Sequence, residues 1–308
     1  MADGRVLADF PMDEVERQFG APTICIHRAD LLDVLAHVLG NGPIRLGARC
    51  VRFEEDDSGV RVHCADGRVV SGHFLVGADG IRSAVRAQLH GANGLRYAGH
   101  TCWRGVAMLE HSALLPGLTT ETWGRGRRFG LCPLGNRRIG WWATRNAPQA
   151  MGDDPKARKR DVQQTFRGWH EPIEAVLEAT EAGVILRHDV FDLKPRRRWG
   201  HGRVTLLGDA AHATTPDLGQ GACLAIEDAF VLARCLAQTE DIVSALRHYE
   251  NKRRKMTARM GRWARWQGSI GQWEGPLACA FRDATCRLTP SAVQMRTFKA
   301  LIKPLAPP

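Results

Sequence analysis

Apolar positions recur at helical spacing in a few long stretches and at strand spacing in many short ones. Over residues 28–39 (RADLLDVLAHVL), Leu31, Leu32, Leu35, Val38 and Leu39 fall on one face, which predicts an amphipathic helix. Asn41-Gly42-Pro43 supplies its stop. Residues 44–53 and 59–64 alternate as strands, joined by the polar turn Asp56-Asp57-Ser58-Gly59, and Val69–Phe74 continues that pattern after Asp66-Gly67. The run Phe74-Leu75-Val76-Gly77-Ala78 is apolar throughout, as a strand buried on both faces would be, and Asp79-Gly80 leads from it into a helical stretch, Arg82–Gln88.

The pattern changes over residues 95–197. Runs such as His100–Leu109, Phe129–Leu134 and Ile139–Thr144 are punctuated by glycines and carry Trp103, Trp141 and Trp142. They predict a mostly antiparallel sheet with one helix at 157–180. Arg203–Leu207 then makes a second short buried strand, ending at Gly208-Asp209. The loop Thr214-Thr215-Pro216-Asp217-Leu218-Gly219-Gln220-Gly221 leads into a long helix at Ala222–Leu236, and the segment from Asp241 to about Gly268 is helical and basic. The fold class is therefore α/β, with an antiparallel β-sheet inserted into a Rossmann-like domain and helices at the C-terminal end. The boundaries expected are 1–94 and 198–308 for the divided α/β domain and 95–197 for the insertion.

Composition changes this picture little. Hydrophobic residues make up 44% and charged residues 25%, as in an ordinary globular chain. No stretch reaches the ~18 apolar residues of a membrane span, and the polar, acidic first residues are unlike a signal peptide; a cytoplasmic protein is expected. Nine scattered cysteines include no CxxC and none at metal-ligand spacing from a histidine, so they read as reduced core residues, with no metal site. The formal charge of +10 is clustered at Lys156–Arg160, Lys194–Arg198 and Lys252–Lys255. These runs lack the interleaved aromatics of a single-strand platform and read as solvated helix faces and loop charge, which excludes nucleic acid as the expected partner.

Two segments carry the chemistry: Leu75-Val76-Gly77-Ala78-Asp79-Gly80-Ile81-Arg82-Ser83-Ala84-Val85-Arg86, and Gly202 through His212 followed by Pro216 through Asp228. Each ends an apolar strand with a carboxylate at the C-terminal edge of a sheet, where open α/β sheets bind ligands. A carboxylate there can accept hydrogen bonds from sugar or ribityl hydroxyls. The Gly219-Gln220-Gly221 turn lets backbone N–H groups approach a flat ligand, and the helix from Ala222 aims its N-terminal partial charge at the same spot. One strand-Asp-Gly turn is common; two, about 130 residues apart and flanking a β insertion, are far more specific.

At these residues the chain resembles the group A flavin monooxygenases, the para-hydroxybenzoate hydroxylase-like family. Gly77-Ala78-Asp79-Gly80 resembles the family's DG motif, and Gly208-Asp209 with Pro216 and Gly219–Gly221 its GD motif. Ile26-His27-Arg28-Ala29-Asp30-Leu31 is similar to the segment whose arginine touches the flavin. The second loop is most similar to the urate hydroxylase, salicylate hydroxylase and zeaxanthin epoxidase branches. The resemblance implies FAD as cofactor, NADH or NADPH as co-substrate, and transfer of one oxygen atom from O2 to a ring or double bond of a small aromatic substrate. It implies that Asp209 bonds the ribityl chain and that Asp79 and Gly80 lie near the pyrophosphate. Arg28 would contact the cofactor and the strand at Val51 would pass the adenine. Pro216 would line the flavin face, with the backbone of Gly221, Ala222 and Cys223 at the pyrimidine edge. It also suggests an Arg104–Asp217 pair, two buried charges near the substrate. No protein nucleophile is required, and His212 reads as a packed loop residue.

The chain departs from the family in one respect. The family opens with a strand–GxGxxG–helix unit that seats the ADP phosphates. Here no GxGxxG follows a predicted strand; Gly124-Arg125-Gly126 and Gly268–Gly275 stand in the wrong context. The strand Phe74–Ala78 is therefore expected to have an unpaired edge, and the isolated chain to bind FAD weakly or to need a completing chain. The alternative expectation is a truncated, non-catalytic remnant.

Overall fold

Period-2 segments form strands and period-3.6 segments form helices, with differences in extent and one helix divided in two. The computed structural model describes residues 1–40, 42–92 and 94–302. In chain order it contains α1 (Asp13–Phe19), α2 (Arg28–Leu39), β1 (Cys50–Asp56), β2 (Gly59–Cys64), β3 (Val69–Gly72), β4 (Leu75–Gly77), α3 (Ala84–His90), β5 (Leu95–Met108), β6 (Thr120–Trp123), β7 (Arg127–Pro133) and β8 (Arg138–Asn146). There follow α4 (Arg158–Thr165), α5 (Ile173–Ala179), β9 (Leu186–Leu193), β10 (Val204–Leu206), α6 (Asp209–His212), α7 (Gly221–Ala237), α8 (Ile242–Gly271), α9 (Pro276–Leu288) and α10 (Ser291–Ile302).

Residues 44–49 are not strand, and the single helix expected at 157–180 is two, because Gly168 takes a left-handed φ of 77° and Pro172 cannot supply a helical N–H. Asn41, read as part of the α2 stop, lies outside the described residues; Gly40, with φ 76°, caps the helix. Helix α1 was not expected from the sequence, whereas α9 and α10 are among the helices expected at the C-terminal end.

The chain forms two compact units. Met1–Asn41, Gly99–Asp189 and Ile270–Pro308 make one; Gly42–Ala98 and Val190–Ser269 make the other. This grouping differs from the sequence boundaries, since it joins α2 and the last two helices to the inserted sheet.

The first unit is built on a five-stranded sheet of order β6-β7-β8-β5-β9, antiparallel across β6–β7, β7–β8 and β8–β5. Its glycines face tryptophans across the strands: Gly105 is paired with Trp141 and Gly130 with Trp142. A Cβ at Gly105 would sit 2.6 Å from the Trp141 ring, and one at Gly130 would collide with Trp142. The glycines therefore make room for the indoles, as small–aromatic cross-strand pairing requires. One face packs on α4 and α5 through Trp103, Phe129, Trp141, Val162, Phe166 and Ile173. Phe129 and Trp141 stack with centroids 5.6 Å apart, a geometry that adds about 0.5–1.5 kcal/mol beyond area burial. Among the described residues nothing covers most of the apolar face of α2: Leu32, Leu35, Val38 and Leu39 are each at least half exposed.

The second unit holds an antiparallel sheet, β1-β2-β3, and a parallel pair, β10-β4. Its core gathers Phe53, Val60, Val85, Trp199, Val204, Leu206 and Tyr249. Among the described residues β4 pairs on one edge only, as the sequence led us to expect. No described helix is long and apolar enough to cross a membrane, and no described cluster of His, Cys, Asp and Glu could hold a metal ion. All nine cysteines are free. Cys64, Cys102, Cys235 and Cys279 are buried as expected, but Cys25 and Cys223 are exposed and are not core residues.

Candidate functional site

The site begins with strand register. β4 and β10 run parallel with Val204 opposite Leu75 and Leu206 opposite Gly77, and Leu207 N donates to Gly77 O at 3.0 Å. The chain leaves both strands at the same C-terminal edge, so the Asp79-Gly80 and Gly208-Asp209 loops emerge together. Only glycine fits at 77: a Cβ there would lie 2.8 Å from both Leu206 Cδ2 and Val85 Cβ. That packing sets β4 between β10 and α3.

Asp79 turns out to serve the fold. Its carboxylate accepts hydrogen bonds from Ala84 N (2.7 Å) and Val85 N (3.3 Å), and Ser83 Oγ accepts from Arg86 N (2.8 Å). Both acceptors satisfy first-turn N–H groups of α3. Gly80 beside it has φ 78° and open space where a Cβ would be. The two loops are tied by Arg86, which is 4% exposed and donates through Nη1 to Ala210 O (3.0 Å) and through Nη2 to Ile81 O (2.5 Å). Burial, together with the neighbouring Arg196, holds its pKa below the usual guanidinium value. The sequence shows Arg86 only as one basic letter on a short helix. The Ser83 cap announces the helix start, but nothing local says that the arginine turns inward.

Asp209 is different. It opens α6 directly after the buried Gly208, is exposed, and makes no hydrogen bond or ion pair among the described residues. A free carboxylate at the end of a buried parallel strand is an acceptor available to hydroxyl groups. His212, at the other end of α6, is 8% exposed and packs on Trp199 with ring centroids 5.2 Å apart, the packed role expected of it.

The glycine-rich loop follows. Pro216 starts a single 3-10 turn, Pro216–Leu218, and Gly219 ends it with φ 64°. α7 then begins at Gly221 with no side-chain cap from Gln220. Its first helical bond runs from Leu224 N to Gln220 O, so the N–H groups of Gly221, Ala222 and Cys223 have no acceptor within the helix. Ala222 and Cys223 are exposed. Thr215 Oγ1 is buried without a hydrogen-bond partner. An uncapped helix end, open space at Gly219, an unsatisfied hydroxyl and a free carboxylate fit an electron-rich, hydroxylated ligand such as a flavin nucleotide.

Val51 lies on β1 at the register irregularity between Cys50 and Arg52 and is 47% exposed. Asp217 is half-buried beside Gly268 of α8, where a Cβ would collide with its carboxylate. Thus Val51, Asp79, Gly80, Gly208, Asp209, Pro216, Asp217, Gly219, Gly221 and Ala222 all belong to the second unit. Arg28 and Arg104 belong to the first. Arg28 is the exposed first residue of α2, and Arg104 is exposed on β5 opposite Trp142. The expectation that Arg104 is a buried charge is corrected: alternation along β5 turns its neighbour Trp103 into the core and Arg104 to the opposite face.

Comparison with known proteins agrees with this geometry. The model of the FAD binding domain family matches residues 13–264. The chain is 42% identical over 299 residues to the aurachin C monooxygenase/isomerase of Stigmatella aurantiaca, covering 97% of this chain and 78% of that protein. It is 39% identical over 251 residues to the chloroplastic zeaxanthin epoxidase of Nicotiana plumbaginifolia, covering 78% of this chain but only 38% of the epoxidase. The crystal structure of Klebsiella pneumoniae HpxO complexed with FAD and uric acid superposes with a TM-score of 0.91 at 32% identity, covering 97% of this chain and 77% of that one. Strand register, loop chemistry and these likenesses agree, and the chain belongs to the FAD binding domain family of group A flavin monooxygenases.

Proposed function

We propose that this chain works as an FAD-dependent monooxygenase that uses NADH or NADPH and O2 to hydroxylate or epoxidise a small aromatic substrate, one oxygen atom entering the substrate and the other leaving as water. The observation that carries this reading is the joint emergence of the two loops from β4 and β10, with Asp209 left free at their edge. Bound FAD supplies the redox chemistry. The chain's own residues bind and orient it: Asp209 accepts from ribityl hydroxyls, Gly80 and Gly219 keep side chains out of its path, and the α7 N-terminus stabilises negative charge on the ring. Pro216 and Val51 complete the contacts. The high identity to a monooxygenase along almost the whole chain favours an enzyme over a remnant. Nine free thiols suit a reducing, cytoplasmic compartment.

Residues 95–197 are proposed to supply the substrate surface, with Arg104 acting on the substrate. Arg104→Ala is expected to lower kcat/KM about tenfold or more, the weight of one charge-assisted hydrogen bond. Steady-state kinetics with the flavin-loaded enzyme decide it; unchanged turnover would remove Arg104 from the site.

FAD retention is a second measurement. β4 has one open edge among the described residues, and no GxGxxG turn stands in these 308 residues after a strand. A helix-terminus phosphate site and one or two charge-assisted bonds are together worth about 3–6 kcal/mol. These residues alone are therefore expected to bind FAD roughly 100- to 10,000-fold more weakly than with a completing βαβ unit. Purification of the chain yellow, with stoichiometric FAD, would overturn this.

A further inference from the structure

We propose that Asp228 is a positioning residue for the cofactor site: its buried carboxylate fixes the turn that presents Asp209. The inference rests on the FAD reading above. Asp228 lies on α7 and is completely buried, so it touches no ligand itself. Its Oδ2 accepts from Gly208 N at 3.0 Å and from His212 Nε2 at 2.5 Å. These two donors stand on either side of Asp209, one just before α6 and one at its end. One oxygen therefore clamps both ends of the short helix that Asp209 opens.

The other oxygen, Oδ1, accepts from Arg253 Nε of α8 at 2.6 Å. Arg253 is also completely buried, and donates further to Glu227 Oε2 (2.7 Å) and Leu224 O (3.1 Å). The carboxylate thus has three donors and a countercharge, which is what a buried ion needs to stay in place. The design separates two tasks. Asp209 stays free for a ligand while Asp228 accepts from the donors on both sides of it. Gly208 N is buried, and without Asp228 it has no acceptor; the turn would have to rotate to find one, and Asp209 would turn with it.

The test is a double-mutant cycle on the full chain. Asp228→Asn keeps the size but places an amide N–H₂ against donors, so at least one of the three loses its acceptor. FAD affinity is read by quenching of flavin fluorescence, and folding in parallel by the circular-dichroism unfolding midpoint of the flavin-free chain. Asp228→Asn is expected to weaken FAD binding about 10- to 100-fold. Asp209→Ala should do likewise, and the double variant should bind FAD within about twofold of Asp209→Ala alone, because Asp228 acts through Asp209. Multiplicative losses, or unchanged affinity in Asp228→Asn, overturn the proposal and show a purely structural role. Should Asp228→Asn not fold, His212→Leu removes one donor from the same oxygen; it is expected to weaken FAD binding only when Asp209 is present, and an equal loss in the Asp209→Ala background overturns the proposal. Wild-type chain that binds no FAD at all overturns the cofactor reading and this inference with it. Binding by wild type with a failed cycle overturns this inference alone.

Discussion

Arg253→Met is expected to lower the stability of the second unit by about 3–5 kcal/mol, the cost of leaving a buried carboxylate without its partner. Arg253 and Asp228 are both fully buried and joined at 2.6 Å, and methionine fills a similar volume without the charge. The loss is thus electrostatic and not one of packing. Its pH dependence separates it from a cavity effect. Burial pushes the Asp228 carboxyl up, but the hydrogen bond from His212 and the charge of Arg253 more than offset it and hold the group below its ordinary value of 3.8. A depressed folded value means stability that is present above the unfolded value and lost as pH falls through the folded one. Wild-type protein should therefore keep this contribution down to about pH 4. In Arg253→Met the loss should begin at higher pH. Urea unfolding at pH 7 and across the acid range measures both; equal midpoints for the two proteins at pH 7 would show that the pair adds nothing.

Gly208→Ala is expected to weaken FAD binding about 10- to 100-fold while leaving the rest of the fold in place. Gly208 has φ 59° and ψ −137°, a conformation L-residues adopt at a cost of about 1–3 kcal/mol. It is buried, and a Cβ there would lie 3.1 Å from Ala225 Cβ on α7. The chain must relieve both strains by turning the peptide that Asp228 holds, which moves the neighbouring Asp209. Titration with FAD, with circular dichroism as the folding control, reports the effect. Wild-type affinity in this variant would mean that Asp209 finds its ligand without help from the turn.

Much of the candidate site could be read locally. β4 and β10 are legible as short apolar runs ending in Gly-Asp or Asp-Gly, and α7 as an apolar-periodic run behind a glycine-rich loop, because their signals lie within a few residues. The extent of α2 was legible too, over residues 28–39. Its environment was not: an apolar face says that a helix wants a cover, not whether these residues provide one, and Leu32, Leu35, Val38 and Leu39 remain exposed. The split of 157–180 into α4 and α5 was hidden because the helical apolar period continues on either side of Gly168 and Pro172.

The amino-acid sequence by itself determined the family, the strand-end loops and the acidic residues offered there, since these depend on residue type and spacing along one stretch of chain. The tertiary structure alone decided which aspartate is free. Asp79 and Asp209 look alike in sequence, but Asp79 is used by the first turn of α3 and Asp209 is not. It also decided the role of the Lys252–Lys255 run, read as solvated charge: Arg253 turns inward to Asp228, on a helix 25 residues earlier in the chain. The physical reason is the same in both cases. A charged side chain is bound or free according to the donors and acceptors that folding brings within about 3 Å: for Asp79 the rotation of its side chain onto the next helix, and for Arg253 a partner on another helix, neither of which residue type alone specifies.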